Sequence, residues 1–333
     1  MDIIFVRTKL QALIVLNLLT EKLISKKFIF VKCHRNDINE DSEEISFVYN
    51  KIENKAFYTT HLVEENGLIR CSLQVYFLSI LALISCGKFF LAGINYYGFS
   101  IAAKFNPLIK IITFDDGTAN FNKNSTYFKH EKLDDNLSVR RSFLNFVFPH
   151  GASFFLKKKI ILHYTIFKNI KNIVPRNKLK HIKINWNNHL SNEDLLFLKR
   201  FIKSEVSVLI GTVFQDIEPS IKSHEQTRKS IKNFEQRFLS KIDFIISHPR
   251  DSSNFSRLKI SRSFHGPAES VITFLHNQSL VEKINIYHFR STAILTIKAF
   301  SKVKLFDIAG KYIEFVDIED NSDFRELIAS NNL

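Results

Sequence analysis

"GPAESVITFLHNQSLVEKINIYHFRSTAILTIKAFSKVKLFDI", Gly266 to Ile308, is the stretch from which the fold can be read. Residues 266–277 space their apolar side chains as a helix does, with a proline near the start, where its missing N–H costs nothing. "KINIYHF" (283–289) is an apolar run of strand length, "STAILTIKAF" (291–300) reads as a second helix and "KVKLFDI" (302–308) as a second strand. Helices alternating with continuously apolar strands imply a parallel sheet covered on both faces.

Working outward, the same alternation begins earlier, with the strand and loop "EVSVLIGTVFQD" (205–216), the helix "SIKNFEQRFLSK" (230–241) and the strand "DFIISHP" (243–249). "SNEDLLFLKRFI" (191–202) opens with a serine cap and an acidic first turn, the signature of a helix start. A less regular alternation fills the N-terminal half. "MDIIFVRT" (1–8) is a strand, and Leu10, Leu13, Ile14 and Leu18 give "KLQALIVLNLLTEKL" (9–23) a helical period. "KKFIFVKCH" (26–34), "GKFFLAGI" (87–94) and "IKIITFDDG" (109–117) are further strands, with residues 36–46 an acidic loop. Residues 121–150 are polar and basic and carry no clear period, and short strands follow in "KKKIILHYTIF" (157–167) and "KLKHIKINW" (178–186). Two Rossmann-like domains with a cleft between them fit a chain of 333 residues.

Composition narrows the partners. The net charge of +14 favours anions, whether nucleic acid, a membrane face, or phosphorylated or sialylated small molecules. Lys and Arg are scattered and no recognition motif appears, which argues against nucleic acid. The 33 Phe beside one Met and one Trp reflect genome composition rather than chemistry. Cys33, Cys71 and Cys86 are odd in number, match no metal spacing and lie in apolar contexts, so they read as buried thiols in a reducing compartment. The opening "MDIIFVR" has an acid where a secretory leader carries basic residues, so a cytoplasmic location is expected. "SLQVYFLSILALISCG" (72–87) falls short of the roughly 20 apolar residues that span a bilayer and reads as a buried helix.

Four clusters fall at predicted strand ends. Asp115-Asp116-Gly117 follows a strand directly, where adjacent carboxylates suit general-base work, though Asp-Asp-Gly-Thr is equally ordinary turn chemistry. Gly211 allows close approach of a ligand to the backbone, and Asp216 is a further acid near that edge. His248 can donate to a leaving phosphate, Pro249 fixes the turn that aims it, and Arg250 adds a cation with bidentate geometry. Ser291-Thr292 precedes a helix, where hydroxyls and free N–H groups form an anion site or a plain cap. Glu269, in a first helical turn, could meet a ribose hydroxyl or simply compensate the helix dipole.

The order Asp-Asp-Gly, His-Pro, Ser-Thr resembles the D/E-D/E-G, HP and S-S/T motifs of bacterial sialyltransferases. "VRTKLQALIVLNLL" (6–19), "HYTIFKNIKNI" (163–173) and "ISHPRD" (246–251) resemble more particularly glycosyltransferase family 52, the lipooligosaccharide and capsule sialyltransferases. The resemblance covers roughly residues 1–310. It implies a GT-B fold, with residues 1–155 as an acceptor-side domain and 156–333 as a CMP-sugar-binding domain. It also implies inverting transfer from CMP-sialic acid to a galactose hydroxyl of a lipid-linked glycan. No metal or cofactor is then expected, and peripheral inner-membrane contact and a homodimer are compatible with it.

Residue by residue, the resemblance gives His248 the departing CMP phosphate, Ser291 and Thr292 hydrogen bonds to that phosphate, and Pro249 and Arg250 the pocket wall. The base stays open. The D/E-D/E-G motif points to Asp115 or Asp116, with Asp116 preferred, whereas family 52 points to an acid upstream of the histidine, here Asp216.

Overall fold

The computed structural model describes residues 1–34, 43–63, 68–94, 96–120, 127, 146–148, 150–167, 172–186, 189–211, 239–247, 261–289, 291 and 293–308. The chain divides into two compact units, Met1–Ile184 and Asn185–Leu333.

The first unit is built from β1 (Asp2–Val6), α1 (Lys9–Thr20), β2 (Phe28–His34), α2 (Glu43–Glu53), β3 (Tyr58–Val63), α3 (Leu68–Ile84), β4 (Lys88–Leu91), α4 (Tyr97–Phe105), β5 (Lys110–Phe114), α5 (Ala152–Lys159), β6 (Ile160–Thr165) and β7 (Leu179–His181). Its seven strands are parallel, in the order β3-β2-β1-β4-β5-β6-β7. Side chains alternate across a strand, so Ile3, Phe5, Ile29, Val31, Phe89 and Leu91 share one face, packed against Val75, Leu78 and Ala82 of α3 and Phe99 and Ala102 of α4. Ile4, Phe28, Phe30, Phe90 and Phe114 point the other way and are equally buried. Burial on both faces is why these strands read as unbroken apolar runs.

The boundary expected at residue 155 moves to 184. β6 and β7 continue the first sheet beyond β5, so their backbone hydrogen bonds bind residues 160–181 to the N-terminal unit. The acidic stretch read as a loop to Ser46 already becomes helix at Glu43.

In the second unit, α6 (Asn192–Lys199), β8 (Glu205–Ile210), β9 (Phe244–Ile246), β10 (Ser261–Arg262), α7 (Ala268–His276), β11 (Lys283–His288), α8 (Ile294–Ile297) and β12 (Val303–Asp307) follow. Five parallel strands run β10-β9-β8-β11-β12. Ser191 caps α6 as expected, in a reciprocal box with Asp194, and the Asp194 carboxylate also accepts from Arg262 Nε at 3.1 Å and His265 N at 3.0 Å. That buried acid therefore holds β10 and the entry to α7 against α6.

Both sheets are thus doubly wound, the GT-B pattern of two Rossmann-like domains in one chain. In each, the strand order reverses once, between β1 and β4 in the first and between β8 and β11 in the second. Ligands in open α/β sheets bind outside the carboxyl ends of the strands at that reversal.

α3 departs from the buried helix expected of it. Cys71, Val75 and Ala82 are enclosed, but Leu73, Phe77 and Ile84 face outward. Among the described residues no helix is long and apolar enough to cross a membrane. Cys71 is buried and Cys33 half-buried, whereas Cys86 stands at the surface in the left-handed region at φ 53°, ending α3. Gly87 follows, and a Cβ there would lie 1.8 Å from the Met1 carbonyl oxygen. Only glycine lets α3 end so close to β1.

Candidate functional site

At the reversal point of the first sheet the carboxyl ends of β1, β4 and β5 open onto a pocket. Phe5, Val6, Arg7, Gln11, Ala92, Gly93 and Asp116 are among its lining residues, and it holds about 450 Å³ of empty space, part of it open to solvent. Among the described lining residues Asp116 is the only carboxylate.

Its position traces back to how α1 begins. Thr8 and Gln11 form a capping box, in which the Gln11 side-chain oxygen accepts from Arg7 N at 2.7 Å and Thr8 N at 3.2 Å. With the oxygen committed to two orphan donors, the amide nitrogen must face away, and it donates to Asp116 Oδ1 at 2.6 Å. The Tyr127 hydroxyl donates to Oδ2 at 2.7 Å. Burial, then the charge and hydrogen bond of Asp116, push the Tyr127 phenol far above its ordinary range, so it stays a donor. Asp116 N in turn donates to Asn120 Oδ1 at 2.6 Å. Gly117 sits at φ 57° with nothing within 4 Å of its missing Cβ, so it serves the turn that ends β5.

Asp115, one residue earlier, has a different environment. It is fully buried, and its carboxylate accepts from Thr165 Oγ1 at 2.9 Å and Ile166 N at 2.7 Å. His163 Nε2 lies 3.0 Å from Oδ1, and its Nδ1 lies 2.8 Å from Thr113 Oγ1. A carboxylate accepts only, so Nε2 carries the proton of that contact. Asp115 thus fastens the end of β5 to β6, and it does not line the pocket. His163, Thr165, Gln11 and Tyr127 were not singled out from sequence. The only signal for Gln11 was its place three residues after a Thr cap.

In the second unit, Gly211 directly follows β8, its N–H donating to Ile246 O at 2.9 Å. Ser291 follows β11, so both residues flank that sheet's reversal point. The helix expected to begin at Ser291 starts instead at Ile294, is capped by Ala293 without a side-chain bond, and lasts four residues. One turn aligns too few N–H groups for a strong anion site, so Ser291 can contribute its own hydroxyl but little helix dipole. Glu269 is buried at the start of α7 and accepts from Thr296 Oγ1 at 3.3 Å, tying α7 to α8. Burial pushes its carboxyl pKa upward. Asp216, His248, Pro249, Arg250 and Thr292 lie outside the described residues. Among the described residues, no three His, Cys, Asp or Glu side chains could hold a metal ion together.

His288, the last residue of β11, is 1% exposed, and its Nδ1 has no hydrogen-bond partner among the described residues. Burial pushes its pKa down to about 4, against the opposing pull of Asp307, its register partner on β12. The unfolded chain therefore binds a proton between pH 6.5 and 4 that the folded chain refuses. Stability is full above pH 6.5 and falls as pH drops through that window, by about 3 kcal/mol from this group. Denaturant titrations at pH 7.5 and 4.5 should show that loss, and His288→Gln should flatten it; an equal loss in the variant would assign the pH dependence elsewhere.

Known proteins place this architecture. The protein is similar over 273 residues, at 24% identity, to an N-acetyllactosaminide alpha-2,3-sialyltransferase of Neisseria meningitidis, covering 80% of this chain and 68% of the relative. A CMP-N-acetylneuraminate:beta-galactoside alpha-2,3-sialyltransferase of Pasteurella multocida is 26% identical over 188 residues, 56% of this chain, and the chain spans about half (52%) of that relative's length. A crystal structure of a putative UDP-N-acetylglucosamine 2-epimerase from Listeria monocytogenes shares the fold, with TM-score 0.50 at 11% identity over 98% of this chain and 90% of that one. The sequence profile of glycosyltransferase family 52 matches residues 28–311, which takes in strands of both units from β2 to β12, and the chain therefore belongs to glycosyltransferase family 52.

Proposed function

We propose that the protein is an inverting sialyltransferase, moving sialic acid from CMP-sialic acid to a hydroxyl of a terminal galactose on a surface glycan, with Asp116 as general base. One observation carries this reading. Of two adjacent carboxylates at the end of β5, Asp115 is consumed by the fold, while Asp116 lines a pocket and is aimed by Gln11 and Tyr127. The names of both relatives supply the acceptor class and the α2,3 linkage, and that of the Pasteurella multocida relative supplies the donor.

In this reaction the acceptor hydroxyl gives its proton to Asp116 as its oxygen bonds to the anomeric carbon of sialic acid. The bond from that carbon to the CMP phosphate breaks, and the electron pair leaves with CMP. His248, Ser291 and Thr292 are the residues proposed to stabilise the departing phosphate, with Pro249 and Arg250 beside it. Hydroxyls and an imidazole suffice for a single phosphate, so transfer is expected without a metal. The acceptor is expected to be lipid-linked.

The test is CMP release from CMP-sialic acid, with and without a galactose-terminated acceptor, in the presence of EDTA. Acceptor-dependent release that survives EDTA, giving a product cleaved by an α2,3-specific sialidase, is the expected result. Release from a UDP-sugar instead would keep the glycosyltransferase and overturn the donor.

A further inference from the structure

The outer side of α3 is apolar where a water-facing helix carries polar residues. Leu73, Phe77, Leu81 and Ile84 are 51%, 62%, 45% and 75% exposed, and their spacing of four, four and three residues lines them along one stripe. The end of α4 extends it. Phe105 and Leu108 are also largely exposed, Phe105 meets Tyr76 edge-on with ring centroids 6.4 Å apart, and Asn106 Nδ2 donates to Ser79 O at 3.1 Å. Two elements of the same unit therefore present one continuous apolar face. Single exposed apolar residues are ordinary, whereas a contiguous patch of this kind marks an interaction surface.

Charge identifies the occupant. From Asn66 to Phe114 the chain contains no Asp or Glu, yet carries Arg70, Lys88, Lys104 and Lys110. Lys104 precedes the exposed Phe105, and Lys88 and Lys110 are register partners on β4 and β5, just beyond the ends of the apolar stripe at Ile84 and Leu108. An apolar surface rimmed by cations, in a stretch of chain without Asp or Glu and with the one carboxylate at Lys88 N, that of Asp2, buried, fits a partner with an apolar interior and an anionic rim. A second copy of the chain docked through the same face would set these cations against one another. At 17 residues α3 is also shorter than the roughly 20 that span a bilayer, so it would lie in the interface plane.

We propose that the α3–α4 face seats the protein on an anionic lipid bilayer, with Leu73, Phe77, Leu81 and Ile84 entering the headgroup boundary and Lys88, Lys104 and Lys110 meeting the lipid phosphates. This goes beyond the proposed transfer reaction and does not depend on it. The full chain should float with phosphatidylcholine vesicles containing about one third phosphatidylglycerol, and much less with phosphatidylcholine alone. Phe77→Asp should weaken that binding by about tenfold or more while leaving the circular dichroism and CMP release with a soluble acceptor unchanged. Lys104→Glu with Lys110→Glu, which leaves the apolar stripe intact, should weaken binding to the anionic vesicles in the same direction. Undiminished flotation of both variants would overturn the proposal. So would a wild-type dimer that Phe77→Asp dissociates while neither form binds vesicles, which would make this face a self-association surface. The vesicle measurement needs no turnover, so its failure is separable from failure of the sialyl-transfer reading.

Discussion

Asp116→Asn should lower kcat for acceptor-dependent CMP release by about 10²–10⁴-fold, the range that a positioned general base supplies. The substitution keeps shape and volume but removes the charge and turns one acceptor oxygen into an NH2 donor, so the amide oxygen can still accept from Gln11 while the Tyr127 hydroxyl rotates to accept from the new N–H. Gln11 and Tyr127 can still reach the side chain, and Asp115 still fastens β5 to β6, so the fold should survive with an unchanged thermal midpoint. A companion change tests the aim of the carboxylate. Gln11→Glu preserves the capping box, because a glutamate oxygen accepts from Arg7 N and Thr8 N as the amide oxygen does. Its second oxygen, however, then faces Asp116 Oδ1 across the 2.6 Å that a donated hydrogen now fills. Turnover should fall in a protein whose helix α1 is intact. If Asp116→Asn retains turnover within about tenfold, the base lies elsewhere, and Asp216→Asn becomes the variant that should show the loss.

The alternation of strands and helices was legible because both faces of each sheet are covered, and covered strands leave unbroken apolar runs such as Ile3–Val6 and Phe89–Leu91. The reversal points were legible only indirectly. In the sequence Asp116, Gly211 and Ser291 stand out only as polar or glycine residues after apolar runs, and the strand order places them beside β1–β4 and β8–β11. What the sequence hid depends on contacts between distant residues. β3 reads Tyr-Thr-Thr-His-Leu-Val and lies at the sheet edge with one residue of six buried, so it lacks the apolar run that marks its neighbours. Residues 160–181 belong to the first sheet through hydrogen bonds to β5, which no local pattern announces. Nor could sequence divide Asp115 from Asp116. Adjacent residues at a strand end point in opposite directions, and which one is buried follows from His163 and Thr165, about 50 residues away.

That division predicts the largest effect on stability. Asp115→Ala should destabilise the first unit by about 4 kcal/mol, read as a lower denaturant midpoint for the β5–β6 end of the sheet. The carboxylate is fully buried and receives the Thr165 hydroxyl, the Ile166 N–H and the His163 ring, so alanine strands the Ile166 N–H and the His163 ring and leaves the Thr165 hydroxyl only its long contact to Phe167 O at 3.4 Å. Each stranded donor costs about 1–3 kcal/mol, and relaxation around the small cavity returns part of the sum. Domains are stable by only about 5–15 kcal/mol, so this loss should show as unfolding at moderate temperature before any assay is run. The two aspartates therefore separate by what fails first. Asp116→Asn should melt as the wild type does and turn over slowly, whereas Asp115→Ala should melt early and retain chemistry while folded, because Asp116, Gln11 and Tyr127 hold one another without it. An Asp115→Ala protein with a normal melting curve and no turnover would reverse the two roles and make the buried residue the base.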